Sequence, residues 1–399
     1  MNVLFLTMNV FTDIEMHNIY SDLMKEFIKH GHRPYIVTPR EKKLQEKTEL
    51  INYENYSLLK VRIGNTSNVS LIEKGLSTVT LSSRFFNAVK KMIGELSFGL
   101  ILYSTPPITL APSVKRLKKH FGCRTYLMLK DIFPQNAVDL GMFSKHGLVY
   151  RYFRRQESRL YEISDRIGCM SKANVDYILE HNKTVAKEKV EICPNAIIAK
   201  PLTDRRKNKE EVRNRFGVPQ NAVLYLYGGN LGKPQGIPHM IRCLEENENK
   251  NDRFFIICGN GSEYHLIEDY ISKRTPPNVR LVPFLEKEEY DSLVAGCDVG
   301  LVFLDARFTI PNYPSRILTY MENEVPFIVC SDNNTDVGLD AQLNKYGLAC
   351  FSSEPMLFTE CVNTMNQRDI TQMGRNARLF LEKHFTADYC FTIIMAHQS

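Results

Sequence analysis

Three turns of this 399-residue chain carry residue types that can hold an anion. In GGNLGKPQG (228–236), Gly228, Gly229 and Gly232 allow close backbone approach to a ligand. A helix starting after them offers free N–H groups and the positive end of its dipole. Lys233 adds a full charge, so the turn suits a diphosphate, although Pro234 after the lysine excludes a Walker A loop. CGNGSEYHL (258–266) is a second strand–Gly-x-Gly–helix turn, with Gly259 and Gly261. Close strand–helix packing also demands glycine, so it reads as a phosphate or nucleotide site only as a companion to the first. In DARFTIPNYPSRILTYMENEVPFIV (305–329), Pro314 opens a helix at whose start Ser315 and Arg316 can both hold an anion.

Two residues of the first half stand where strands are expected to end. His17 lies in the turn MNVFTDIEMHNIY, and Asp131 closes RTYLMLKD before IFPQNAVDLG. Each would lie near a ligand crevice, although a lone Asp or His at such a place is more often a hydrogen-bonded cap than a catalyst. No Asp-x-Asp is present, so no metal-bridged nucleotide site is expected. Gly-x-Ser-x-Gly and His-Glu-x-x-His are also absent. No glycine precedes Gly31, so the first strand–helix turn lacks a dinucleotide fingerprint.

The elements that must position these turns alternate strand and helix, which argues for parallel sheets covered by helices. The first half reads as strand NVLFLT (2–7), helix IYSDLMKEFIKHG, strand RPYIVTP, then LILYST (100–105), RTYLMLKD (124–131), RIGCMS (166–171) and VEICPNAI (190–197). The second restarts with AVLYLYGG (222–229), RFFIICG (253–259), NVRLVPF (278–284), CDVGLVFL (297–304) and PFIVC (326–330). The expected division is an N-terminal domain over 1–197, a C-terminal domain over 198–375, and a helical tail over 376–399 packing back toward the first domain. Ligands of open parallel sheets sit at the carboxyl ends of the strands. Two such sheets facing each other would bring those ends to a cleft.

Apolar residues make up 43% of the chain and the net charge is only +6, which excludes disorder. No apolar run reaches the roughly 18 residues of a membrane span. The start, MNVLFLTMNV, has no basic leader and reads as a first strand, so a cytoplasmic protein is expected. Ten scattered cysteines without a C-x-x-C pair read as small buried hydrophobes rather than a zinc site. Charge is lopsided: residues 1–200 hold 30 Lys and Arg against 19 Asp and Glu, and the remainder holds 21 against 26. Arg151, Arg155 and Arg159 form an i, i+4, i+8 stripe in LVYRYFRRQESRLY (148–161). The plain reading is a solvated helix face; the sharper one is a patch facing an anionic membrane surface. No helix-turn-helix or single-strand-binding pattern accompanies the charge, so nucleic acid is not expected.

Taken together, GHRPYIVTP (31–39), DIFPQNAVDLG (131–141), CPNAI (193–197), YGGNLGKPQG (227–236), IICGNGSE (256–263) and FTIPNYPSRILTYMENEVPFIV resemble the GT-B glycosyltransferases of family four. The similarity is greatest to enzymes of capsular, O-antigen and exopolysaccharide clusters, including fucosamine transferases. The resemblance spans the chain and implies two Rossmann-like domains across a cleft. It also implies retaining, metal-independent transfer from a nucleotide diphospho-sugar, with no cofactor. Lys233 and Arg316 would then stabilise the leaving diphosphate, while Asp131 and His17 orient donor or acceptor hydroxyls. Gly229, Asn230, Gly232, Gln235, Gly259, Gly261, Ser315 and Thr319 would surround the nucleotide. The chain departs from the family pattern in two places. Asn230 and Gln235 stand where its first phosphate loop has Arg and Lys, and Pro311 and Thr319 where it has a Glu-x7-Glu pair. The implied acceptor is a lipid-diphosphate-linked saccharide at the inner face of the cell membrane. A nucleotide-sugar 2-epimerase and a non-catalytic nucleotide-sugar-binding subunit are the alternatives.

Overall fold

Long apolar pentapeptides such as NVLFL and LILYS have no polar face, so their strands must be covered on both sides, as in parallel sheets. The structure, a computed structural model, meets that demand twice. It describes residues 1–66, 71–202 and 205–397. The chain forms two compact units: residues 1–198 together with the chain from Ala387 on, and Ala199–Thr386.

The N-terminal unit holds strands β1 (Asn2–Leu6), β2 (Arg33–Glu41), β3 (Glu49–Asn52), β4 (Ser57–Ile63), β5 (Leu100–Ser104), β6 (Arg124–Leu129), β7 (Arg166–Cys169) and β8 (Val190–Ile192). Their spatial order is β3-β4-β2-β1-β5-β6-β7-β8, and every pair is parallel except β3 with β4. Helices α1 (Ile19–Lys29), α2 (Leu71–Ile93), α3 (Ala111–Phe121), α4 (Gln135–Asp139), α5 (Leu148–Ile163) and α6 (Lys172–His181) make the crossovers. Asn18 caps α1 by accepting from Tyr20 and Ser21 N–H, and Ser21 returns the bond to the Asn18 N–H.

In the C-terminal unit, strands β9 (Val223–Asn230), β10 (Arg253–Asn260), β11 (Val279–Val282), β12 (Val299–Phe303), β13 (Phe327–Ser331) and β14 (Gly347–Phe351) are all parallel. Their order, β11-β10-β9-β12-β13-β14, is the doubly wound 3-2-1-4-5-6 pattern, with its switch point between β9 and β12. The helices are α7 (Arg205–Phe216), α8 (Ile237–Glu245), α9 (Tyr264–Arg274), α10 (Lys287–Gly296), α11 (Arg316–Glu322), α12 (Val337–Leu343), α13 (Pro355–Met365) and α14 (Ile370–His384). The final helix, α15 (Ala387–Met395), belongs to the N-terminal unit. There Phe391 meets Phe27 edge-on at 5.0 Å and stacks on His30 at 4.2 Å, and Ile394 is fully buried.

Candidate nucleotide and acceptor sites

At the switch point of the C-terminal unit, the loops after β9 and β10 are knitted together. Leu231 N–H donates to Asn260 O at 2.7 Å, and Glu263 N–H donates to Leu231 O at 2.9 Å. A Cβ on Gly259 would lie 1.9 Å from Gly229 O, and one on Gly261 would lie 2.2 Å from Leu231 O. The two glycine turns are therefore one backbone surface, and side chains are excluded from it by sterics. The turn Lys233–Gln235 is tied in turn to the loop after β12, through Asp305 N–H to Pro234 O at 3.0 Å.

Arg316, the first residue of α11, brings its charge to this surface. Its guanidinium carbon lies 3.4 Å from where a Gly229 Cβ would stand and 4.6 Å over the Tyr227 ring. Nη1 is buried and has no hydrogen-bond partner. Tyr227, Tyr290 and Tyr320 surround the guanidinium. Tyr320 spends its own hydroxyl on Leu226 O at 3.0 Å, and burial pushes the Tyr290 phenol up out of the titrating range. A cation held by neutral rings, with an unused buried N–H, is poised for an anion.

The other expected residues of this unit divide by role. Lys233 is exposed, and its ammonium makes no hydrogen bond or ion pair among the described residues. Gln235 is buried, and its Oε1 accepts from Asn230 Nδ2 at 2.9 Å and Gly232 N–H at 3.3 Å, so this pair shapes the loop. Gly232 lies against Ser262 of the second glycine turn. Ser315 is exposed and makes no capping bond, and Thr319 is half-buried one turn further along α11. Sequence reasoning overlooked the tyrosine nest, because a tyrosine inside a strand such as AVLYLYGG reads as core. It also overlooked Arg307, whose fork grips Asp305 at 2.7 and 2.9 Å beside the Lys233 turn.

In the N-terminal unit, His17 stands at the start of α1, just before its Asn18 cap, and Asp131 stands just past the end of β6. His17 follows β1, and its Nδ1 lies 2.9 Å from buried Asp22 Oδ2, which also accepts the Ile198 N–H at 3.0 Å. A carboxylate on Nδ1 fixes the tautomer and ring orientation of an imidazole. Asp131 follows β6, two strands and roughly 10 Å away from β1. Both of its oxygens take bonds from Asn136 Nδ2 at 2.9 Å, and Thr105 Oγ1 receives the Lys130 N–H at 2.9 Å. Burial, only partly offset by the Ile132 N–H and the Asn136 amide, pushes the Asp131 carboxyl up to about 6. Glu157, on α5, is raised by burial to about 7 against the pull of Arg154, and Asp131 adds to that rise.

No protein-family model matches the chain. Across 99% of the chain and 98% of theirs, the residues superimpose on sucrose-phosphate synthase from Thermosynechococcus elongatus with a TM-score of 0.75 at 13% identity. Anabaena Alr3699/HepE, solved in complex with UDP, gives 0.69 at 14% identity over 99% of both chains. The fold is GT-B. Among curated proteins, WbjE of Pseudomonas aeruginosa, named as a glycosyltransferase, is 20% identical over 322 residues, covering 79% of this chain and 78% of WbjE. WcaI of Escherichia coli K12, named as a colanic acid biosynthesis glycosyl transferase, is 27% identical over 203 residues, covering 50% and 48%. Relatives and fold together make this GT-B protein a glycosyltransferase.

Proposed function

We propose that this glycosyltransferase is a retaining enzyme that moves a sugar from a nucleotide diphospho-sugar to a lipid-diphosphate-linked saccharide during bacterial surface-polysaccharide synthesis. The observation that carries the reading is the unpartnered, buried Nη1 of Arg316 over the fused glycine turns. The UDP in HepE and the colanic acid pathway in the name of WcaI support a UDP-linked donor and a polysaccharide product. An N-acetylated deoxyhexosamine such as fucosamine is the donor sugar favoured by the resemblance.

In this reading, cleavage of the bond between the anomeric carbon and the diphosphate leaves negative charge on the leaving oxygen. Arg316 and Lys233 neutralise it without reorganising, which is the most effective form of electrostatic catalysis. The acceptor hydroxyl attacks from the same face and gives its proton to the departing phosphate, so no carboxylate pair is required. Asp131 and His17 orient hydroxyl groups. Gly229, Gly232, Gly259 and Gly261 admit the diphosphate to the backbone, and Asn230, Gln235, Ser315 and Thr319 line the nucleotide's surroundings. The protein would work peripherally, on the cytoplasmic face of an anionic membrane.

Incubation with a panel of UDP- and GDP-sugars, with and without lipid extract, tests the proposal. Nucleotide release that depends on the lipid fraction is expected. Interconversion of the free nucleotide sugar would instead mark an epimerase, and binding without turnover would mark a non-catalytic subunit.

A further inference from the structure

The cations on the helical layer of the N-terminal unit fall into two groups. α2 packs on α3, and α3 on α5. Arg154 and Lys118 are spent internally: Arg154 bonds Glu157 at 2.8 Å and also Asn182, and Lys118 bonds Asp165 at 2.7 Å. Arg151, Arg155 and Arg159 are exposed, and their side chains make no ion pair or hydrogen bond among the described residues. No acidic residue occurs between Asp139 and Glu157 to offset them.

Large apolar side chains crowd the same place. Leu148 is 81% exposed, Met142 62%, Val149 51% and Tyr152 43%. Exposed apolar residues are ordinary when scattered singly, but four within eleven residues, rimmed by unpaired cations, form a patch. On α5, Leu148, Tyr152, Arg155 and Arg159 are spaced i, i+4, i+7 and i+11 and so share one face. The first turn of that face is apolar and the following turns are cationic. Rings of Phe133, Phe143 and Phe153 lock this tip, with centroids 4.9 to 6.4 Å apart. Phe133 is two residues beyond Asp131, so the patch is fixed rigidly to the Asp131 loop.

We infer that this face docks on a bilayer containing anionic lipid. The Met142 turn and the first turn of α5 enter the headgroup–acyl boundary, and Arg151, Arg155 and Arg159 lie at the level of the phosphates. Charge complementarity alone would also admit a polynucleotide. However, single-strand sites place exposed aromatic stacking platforms among their cations, whereas here the phenylalanine rings pack on one another and three of the four exposed apolar side chains, Leu148, Met142 and Val149, are aliphatic. The inference deepens the proposed lipid-borne acceptor and rests on that reading for its purpose, with Asp131 standing beside the membrane face.

The 399-residue sequence contains no tryptophan, so Leu148→Trp supplies a single reporter. Its emission should shift to the blue with vesicles of phosphatidylglycerol and phosphatidylcholine in equal parts, and much less with phosphatidylcholine alone. Each arginine contributes about fivefold near such a surface, so Arg151→Gln/Arg155→Gln/Arg159→Gln should bind on the order of 100-fold more weakly in low salt. Leu148→Ser/Val149→Ser should weaken binding in high salt as well, because apolar insertion is not screened. UDP affinity should stay unchanged in all three variants. Absence of a blue shift with either vesicle, an equal shift on both, or retention on single-stranded RNA without vesicle binding would overturn the docking face. Those results with UDP binding intact leave the transferase reading standing. Docking without any UDP binding would instead remove the transferase reading and keep the face.

Discussion

Replacing Arg316 with methionine separates a ligand contact from a structural one. In the unliganded protein, the guanidinium is compensated by the Tyr227 ring 4.6 Å beneath it, a contact worth up to about 2 kcal/mol when desolvated. Against this stands the cost of drawing a half-buried cation partly out of water without a carboxylate partner, which is at most several kcal/mol. Arg316→Met keeps the aliphatic stem and removes both contributions, so the free protein should unfold at the same temperature or higher. On the ligand side, charge-assisted bonds to a diphosphate contribute about 1.5–3 kcal/mol, or roughly 10- to 150-fold in Kd. Calorimetric titration with UDP at fixed ionic strength measures that loss. Thermal unfolding with and without UDP measures the same loss independently, because the ligand-induced rise in Tm follows the ratio of UDP concentration to Kd. A free-protein Tm lowered by several degrees with unchanged UDP affinity would show Arg316 to be a structural residue and refute the phosphate assignment.

Other substitutions probe the same structure. Lys233→Ala should abolish turnover while changing stability by no more than about 0.5 kcal/mol, since the ammonium is exposed and unpartnered; an active variant removes it from the site. The Asp131 carboxyl titrates near 6 in the folded chain against 3.8 unfolded, so it holds its proton more tightly when folded. Its contribution to stability is present below about pH 4 and is lost as pH rises through 6, a change on the order of 3 kcal/mol. Asp131→Asn should therefore flatten the decline seen by urea denaturation between pH 4.5 and 7.5, and identical pH profiles for both proteins would count against it. Gly259→Ala forces a Cβ to within 1.9 Å of Gly229 O and should cost more than about 3 kcal/mol, whereas Gly122→Ala, with positive φ but open space, should cost about 1 kcal/mol. Similar unfolding midpoints for the two variants would contradict the fused-turn geometry.

The parts of the molecule legible in the sequence were those where geometry restricts residue type. Strands such as LILYS and FFIIC are apolar throughout because both faces are covered, and the glycine turns stand out because backbone approaches backbone there. The hairpin of β3 and β4 escaped notice, since Glu49, Lys60 and Arg62 break its apolar alternation near the sheet edge. The partnership of Asn230 with Gln235 was also invisible. Two amides five residues apart reveal nothing about their pairing until the turn between them is known. The aromatic setting of Arg316 draws on Tyr227, Tyr290 and Tyr320, from three separate elements, and only folding assembles it. Among the four arginines of α5, sequence could not separate Arg154, neutralised inside, from its three solvent-facing neighbours.

Helix α15 completes the hydrophobic centre of the N-terminal unit, although 188 residues of the other unit are translated in between. At about 5–20 residues per second, the first 198 residues wait roughly 10–40 seconds on the ribosome with the seat of Phe391 and Ile394 open. During biosynthesis the amino-terminal half is thus the last to be finished, its apolar core closing only when Phe391 and Ile394 arrive.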